Sequence, residues 1–269
     1  TREVTEAILV VGIPNAVDQT LKPKMLLMVD DPGVKRYMAY VSSGPREYKE
    51  KIRNDTFRVQ YVGQGFRDRV REDMLVCLLD AFNQTTAAQT SQLSFTYVQG
   101  MNVLAAPFLY TIPSEIEAFY CFARFIEFSC PLYVQQTLEG VHRGLKLLDR
   151  CLKIVYPDLF GHLRSKNLSA EIYAFPSVLT LCACTPPLDQ VLQLWDILLA
   201  FGVHLNVLCA IAQLLPMRDD VMASTSPMKL LRTFPPLEVQ SVMGIAVTLV
   251  RDLPAGLYDE LVKRPYEVR

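Results

Sequence analysis

Proline placement constrains this chain most. Pro186, Pro187, Pro216, Pro227, Pro235, Pro236 and Pro254 fall between segments whose apolar residues recur every three to four positions. Proline lacks an amide donor and clashes with the preceding turn, so it sits at helix boundaries. The segments between predict helices over Ala170 to Thr180, Leu188 to Ala200, His204 to Leu215, Pro227 to Arg232, Leu237 to Asp252 and Ala255 to Val262. A longer helix is expected from Val134 to Val155, with Leu138, Val141, Leu145, Leu148, Leu152 and Val155 on one face; Tyr156-Pro157 ends it. Upstream, Val70, Met74, Cys77, Leu78 and Ala81 mark an amphipathic helix, and Asn83 to Ser94 reads as an exposed polar loop. A helix follows from Tyr97 to Thr111, and Ser114 with Glu117 forms a capping-box pattern opening a helix over Ile116 to Phe128. Near the start, Gly12-Ile13-Pro14 marks a turn and Leu21 to Val29 a helix stopped by Asp30-Asp31-Pro32-Gly33. Val34 to Val41 follows as a short amphipathic segment. No alternating strand pattern exceeds about four residues. The fold class is all-α.

Apolar residues make up 51% of the 269, charged residues 20%, and the formal net charge is -1. Mean hydropathy is +0.19. So apolar a chain is not disordered, and its neutrality disfavours a general nucleic-acid binder. A membrane span needs roughly 20 consecutive apolar residues. The stretches Val103 to Pro113, Pro176 to Ala183 and Val207 to Pro216 are too short. The apolar excess is therefore assigned to a buried core, with the charge-poor stretch 176–215 in its middle.

Seven scattered cysteines in mostly apolar surroundings read as reduced thiols. Cys182 and Cys184 lack a second ligand cluster, so no metal site is expected. Asn54, Asn83 and Asn167 open Asn-x-Ser/Thr triplets, which read as chance matches without a secretion signal. His142, His162 and His204 show no paired ligand at helical spacing. Gly63-x-Gly65 lacks the third glycine of a dinucleotide fingerprint. No self-contained catalytic set emerges, which leaves binding modules and proteins that complete another protein's active site.

Two stretches stand out: Ile52-Arg53-Asn54-Asp55-Thr56-Phe57-Arg58 and Tyr97-Val98-Gln99-Gly100-Met101-Asn102. Asp55 and Arg58 are three apart, which on a helix shares a face. Taken alone, they are a surface ion pair, and Gln99 a first-turn polar residue. Together, in order, they resemble the Ile-x-x-Asp-x-x-Arg and Tyr-x-Gln-Gly motifs of the TBC (Tre-2/Bub/Cdc) domain, the Rab-type GTPase-activating fold. Leu192-Gln193-Leu194-Trp195-Asp196-Ile197-Leu198 is similar to the family's third region, and Gly12-Ile13-Pro14 with Leu21-Lys22-Pro23-Lys24 to its opening. Longer stretches, among them Ala106 to Tyr110, Leu179 to Leu188 and Gly202 to Asn206, resemble the fungal mitotic-checkpoint and septation branch. Three features depart from the family pattern. Leu26 or a neighbour stands where a Trp is usual, Val59 follows the arginine where Thr is common, and Pro176-Ser-Val-Leu-Thr-Leu replaces a Trp-containing stretch.

The resemblance implies one TBC domain over residues 1–269, built of two packed helical subdomains. Residues 1–130 would carry both motifs, and 131–269 would form the second. It implies that Arg58 and Gln99 are catalytic fingers supplied in trans to a small Ras- or Rab-like GTPase. Ile52, Asp55, Tyr97, Gly100 and Asn102 would support them, Asp55 by orienting Arg58, and Tyr97 and Asn102 by positioning the Gln99 turn. No cofactor or metal is expected in this chain; GTP and Mg²⁺ belong to the partner. The branch implies a mitotic-exit or septation GTPase, a scaffold subunit completing a two-component activator, and a cytoplasmic protein recruited to the spindle pole body or cytoskeleton. Two other readings stand beside it: a Rab activator in membrane traffic, and a module that mainly binds GTPase and scaffold. No nucleic-acid contact or membrane insertion is implied.

Overall fold

The computed structural model describes residues 31–42, 49–56, 64–87 and 97–267. Among them all regular structure is helical. The helix expected over Leu21 to Val29, the turn at Gly12-Ile13-Pro14 and Arg58 lie outside the described residues. The chain divides into two compact units, with the boundary between Leu138 and Glu139.

The first unit contains α1 (Asp31–Ser42), α2 (Lys49–Thr56), α3 (Gln64–Arg69), α4 (Glu72–Ala87), α5 (Met101–Thr111) and α6 (Glu115–Ser129), then a 3₁₀ turn at Pro131–Tyr133. Asp31-Pro32-Gly33, read as the stop of a helix that lies outside the described residues, also opens α1. Proline's fixed φ suits a first helical turn, whose amides have no intrahelical acceptor in any case. α4 is the unit's hub and packs against α1, α2, α5 and α6. Leu75, Leu78, Leu79 and Phe82 bury its apolar face. Glu72 and Asp73 in its first turn favour the positive end of the helix dipole.

The exposed loop expected over Asn83 to Ser94 is corrected as far as Ala87, to which α4 runs; residues 88–94 lie outside the described residues. Asn83 and Gln84 are buried. Gln84 donates to the Asp80 carboxylate at 3.1 Å and to the Tyr40 carbonyl at 3.3 Å. Thr85 donates to the Ala81 carbonyl at 2.8 Å. The run is polar, but it lacks Gly and Pro, and Gln84 and Thr85 find acceptors while the backbone stays helical.

α5 is apolar nearly all round and correspondingly buried, which is how a core helix reads. Pro107 lies within it. α6 begins as the capping pattern predicts: the Ser114 hydroxyl accepts from the Glu117 amide at 3.4 Å. Tyr37 of α1 donates to the Glu115 carboxylate, and Tyr120 to the Gly33 carbonyl at 2.8 Å, pinning α1 to α6.

The second unit contains α7 (Glu139–Val155), α8 (Pro157–Ser165), α9 (Ala170–Tyr173), α10 (Phe175–Leu179), α11 (Leu188–Phe201), α12 (Asn206–Leu214), α13 (Arg218–Ala223), α14 (Pro227–Leu231), α15 (Val239–Asp252) and α16 (Ala255–Lys263), with 3₁₀ turns at Val203–Leu205 and Leu215–Met217. α7 starts at Glu139 rather than Val134. Leu138 has φ 49, a left-handed conformation that breaks the helix, and its amide closes a turn on the Gln135 carbonyl at 2.9 Å. Helices α8 and α13 go beyond the sequence expectation. Pro157 reads in the sequence only as a stop, yet it also opens α8. The single helix expected over Ala170 to Thr180 is two, because Pro176 cannot continue the first and instead sits in the opening turn of α10.

α12 is buried along its whole length and packs on α7, α10 and α15, in keeping with the charge-poor stretch 176–215. Trp195 of α11 donates its indole N–H to the carbonyl of Leu181, a residue at φ 52, at 3.0 Å. This is what the third family-like region does structurally: it ties α11 to the strained turn after α10. All seven cysteines are free thiols, five of them buried.

Candidate functional site

The site is built from α2 and the turn that opens α5, both in the first unit. In α2 the sequence Lys-Glu-Lys-Ile-Arg-Asn-Asp-Thr places Ile52 and Asp55 three residues apart, hence on one face. That face packs on α4 and α5. Ile52 is fully buried and Asp55 is 6% exposed. Glu50, Lys51, Arg53 and Asn54 face solvent. Arg53 reaches Glu72 of α4 at 3.1 Å, a pair too exposed to contribute more than about 1 kcal/mol. The apolar Ile52 therefore seats α2, and Asp55 rides inward with it.

A buried carboxylate requires donors. Tyr97, 1% exposed, supplies its hydroxyl to Asp55 Oδ2 at 3.0 Å. Asn102, also 1% exposed, donates Nδ2 to the main-chain carbonyl of Asp55 at 2.6 Å. Two side chains from the second motif thus grip one residue of the first, one on its side chain and one on its backbone. Lys51, one helical turn before Asp55, lies 5.8 Å from the Tyr97 ring centroid. Lys51 is absent from the sequence-predicted set; its i, i+4 spacing from Asp55 is the signal that could have found it.

The helix expected from Tyr97 begins only at Met101, so Gln99 is not a first-turn residue. Tyr97, Val98 and Gly100 are buried, and Gln99 alone of the four is exposed. The turn closes through the Met101 amide on the Val98 carbonyl at 3.2 Å, and the Gly100 carbonyl accepts from Val103 at 3.0 Å and Leu104 at 3.2 Å. Gly100 has φ 103, where a side chain is strained, which is the physical reason for glycine here. The result is an amide held at the tip of a turn whose other three residues are anchored in the core.

Ile52, Asp55, Tyr97, Gly100 and Asn102 are therefore brought together, with Gln99 projecting beside them. Arg58 follows Asp55 by three positions in the sequence and lies outside the described residues, as does the helix-face relation expected between the two. Among the described residues no group of His, Cys, Asp and Glu side chains could hold a metal ion, and no helix is long and apolar enough to cross a membrane.

Comparison with known proteins follows the same lines. Residues 25–222 match the Rab-GTPase-TBC domain. The chain is 45% identical over 243 residues to cell division control protein 16 of Schizosaccharomyces pombe, spanning 90% of this chain and 79% of that protein. It is 41% identical over 240 residues to mitotic check point protein BUB2 of Saccharomyces cerevisiae, spanning 86% and 78%. A putative BUB2 of Dictyostelium discoideum is 40% identical over 90% of this chain and 64% of its own length. The crystal structure of the YPT/RAB-GAP domain of GYP1P superposes with a TM-score of 0.71 over 93% of each chain at 16% identity. A Chlamydomonas flagellar RabGAP TBC domain gives 0.65 at 17% identity, covering 99% of this chain and 83% of that one. These two likenesses concern the fold. Matched over most of its length by the family pattern and by relatives at 40–45% identity, this chain belongs to the Rab-GTPase-TBC domain family.

Proposed function

We propose that this chain is a GTPase-activating protein that stimulates GTP hydrolysis by a small Ras/Rab-like GTPase of mitotic exit or septation. Arg58 and Gln99 are the residues it supplies in trans. The observation that carries this reading is the exposed Gln99 amide on a turn whose neighbours are anchored to Asp55, three residues before Arg58. Small GTPases hydrolyse GTP slowly because charge on the transferring phosphoryl group is poorly stabilised, and an arginine supplied in trans is worth about 10³–10⁵ in rate. A guanidinium suits this role because it stays charged and offers directed donors. Gln99 orients the attacking water, and Asp55 orients Arg58. GTP and Mg²⁺ come with the partner, and the chain needs no cofactor of its own.

The mitotic assignment rests on relatives named for cell division control and the mitotic check point, similar over most of this chain. A scaffold subunit, and recruitment to the spindle pole body or cytoskeleton, complete the proposal. The test is single-turnover hydrolysis across a panel of mitotic-exit, septation and Rab GTPases, with and without the scaffold partner. Stimulation of a mitotic or septation GTPase supports the reading. Strong stimulation of a membrane-traffic Rab alone replaces it with the second reading, and binding without stimulation replaces it with the third.

A further inference from the structure

Met101 closes the Gln99 turn twice. Its amide donates to the Val98 carbonyl at 3.2 Å. Its side chain also folds back, so that the thioether sulfur accepts the Val98 amide at 3.3 Å. Both residues are buried, Met101 at 1% exposure, and among the described residues the sulfur is the acceptor of the Val98 amide. Gln99 and Gly100 fill the two places between them. Gly100, with φ 103 and ψ -17, supplies the left-handed residue that the third place of such a turn requires. The two bonds fix the peptide planes on both sides of Val98, and with them the direction in which the chain enters Gln99. A buried amide that loses its acceptor has no water to turn to, so without the sulfur the peptide between Tyr97 and Val98 must rotate to find another partner. Packing alone does not call for sulfur here: leucine fills nearly the same volume and accepts no hydrogen bond.

We infer that Met101 is a positioning residue for Gln99, acting through the main-chain amide of Val98. This rests on the reading of Gln99 as the residue that orients the attacking water. A misplacement of about 1 Å in a group of this kind costs roughly 100-fold in rate, so a small rotation of the turn is legible in kinetics. Met101 is buried and offers a GTPase no surface, so its loss acts on the saturated rate and not on half-saturation. Once Gln99 is removed, Met101 has nothing left to position, and the two losses do not multiply.

The experiment is single-turnover GTP hydrolysis by the GTPase found responsive in the panel, at saturating activator. Met101→Leu is measured alone, with Arg58→Ala and with Gln99→Ala. Leu109→Met, the reverse swap at the buried far end of α5, controls for a change in core volume. Met101→Leu alone is expected to lower the saturated rate about 5-fold or more, with half-saturation changed less than about 3-fold. Leu109→Met stays within about 2-fold of the parent. On Arg58→Ala the Met101→Leu factor is kept; on Gln99→Ala it falls below about 2-fold. Hydrogen exchange of the Val98 amide in the free chain is expected to quicken about 10-fold or more in Met101→Leu, a readout that needs no GTPase. An equal factor on Gln99→Ala, an equal loss in Leu109→Met or unchanged Val98 exchange overturns the inference. An unchanged Met101→Leu rate beside a crippled Gln99→Ala sinks this inference alone. If Gln99→Ala itself leaves stimulation intact, the Gln99 reading fails, and this inference with it.

Discussion

The Tyr97 hydroxyl donates to the Asp55 carboxylate at 3.0 Å, between residues 42 apart in the chain. Both are buried, so neither group can exchange its partner for water. A buried acceptor deprived of a donor costs about 1–3 kcal/mol. Tyr97→Phe is therefore expected to lower stability by about that amount in urea unfolding and to lower the stimulated GTPase rate, because Asp55 no longer stands in one pose. A variant with unchanged rate and stability would show that the bond is idle.

Gly100 predicts a second effect. Its φ of 103 is costly for any residue with a Cβ, by about 1–3 kcal/mol. Gly100→Ala is expected to destabilise the chain within that range and to reduce stimulation further, since the turn can relax only by moving Gln99. Relief of the strain without loss of rate would indicate that the turn does not fix the amide.

How far the sequence leads is visible at these residues. Ile52, Asp55, Tyr97, Gly100 and Asn102 are legible as a set because two ordered motifs carry them, and the structure packs α2 onto α5 so that they meet. The destination of Asn102 is not legible: a buried amide can serve either its own turn or a neighbouring backbone, and only packing decides. Long helices such as α7 and α11 follow from periodicity. Proline is read too narrowly in two places: Pro157 ends α7 as expected but also opens α8, and Pro176, read inside a single helix, starts a second one. The polar run at Asn83 reads as a loop by composition, although its described part, as far as Ala87, is helical.

The second unit offers a packing test. A Cβ on Gly144 of α7 would lie 2.1 Å from a guanidinium nitrogen of Arg264 and 3.1 Å from Val178. Arg264 is fully buried and donates to Asn206 at 2.9 Å, so its guanidinium has little room to yield. Gly144→Ala is expected to cost about 1–3 kcal/mol by overpacking. Below its melting midpoint the variant should stimulate as the parent does, because Asp55, Tyr97 and Gln99 belong to the other unit. A neutral thermal scan would contradict the crowding.

His204 gives the pH dependence. It is buried, its Nε2 lies 3.2 Å from the Tyr258 hydroxyl, and burial, with the Arg264 cation adding to it, pushes its imidazolium down from 6.5 to about 3. The folded chain keeps this imidazole neutral where the unfolded chain protonates it, so unfolding takes up a proton. Stability is full above the unfolded value of 6.5 and falls as pH drops towards about 3, by roughly 1.4 kcal/mol per pH unit at most. His204→Gln removes this component while carboxylates contribute alike to both proteins. The parent's stability advantage over the variant, measured by urea unfolding, is expected to shrink between about pH 6.5 and about pH 4.5. A constant advantage would contradict a buried neutral His204.

The central claim is that Arg58 and Gln99 act together on a bound GTPase. The direct measurement is single-turnover GTP hydrolysis by the stimulated GTPase with saturating parent, Arg58→Ala, Gln99→Ala and the double variant. Each single change is expected to lower the stimulated rate by about 100-fold or more while complex formation persists, with the double variant near the intrinsic rate. Stimulation retained by both single variants, with normal complex formation, would contradict it.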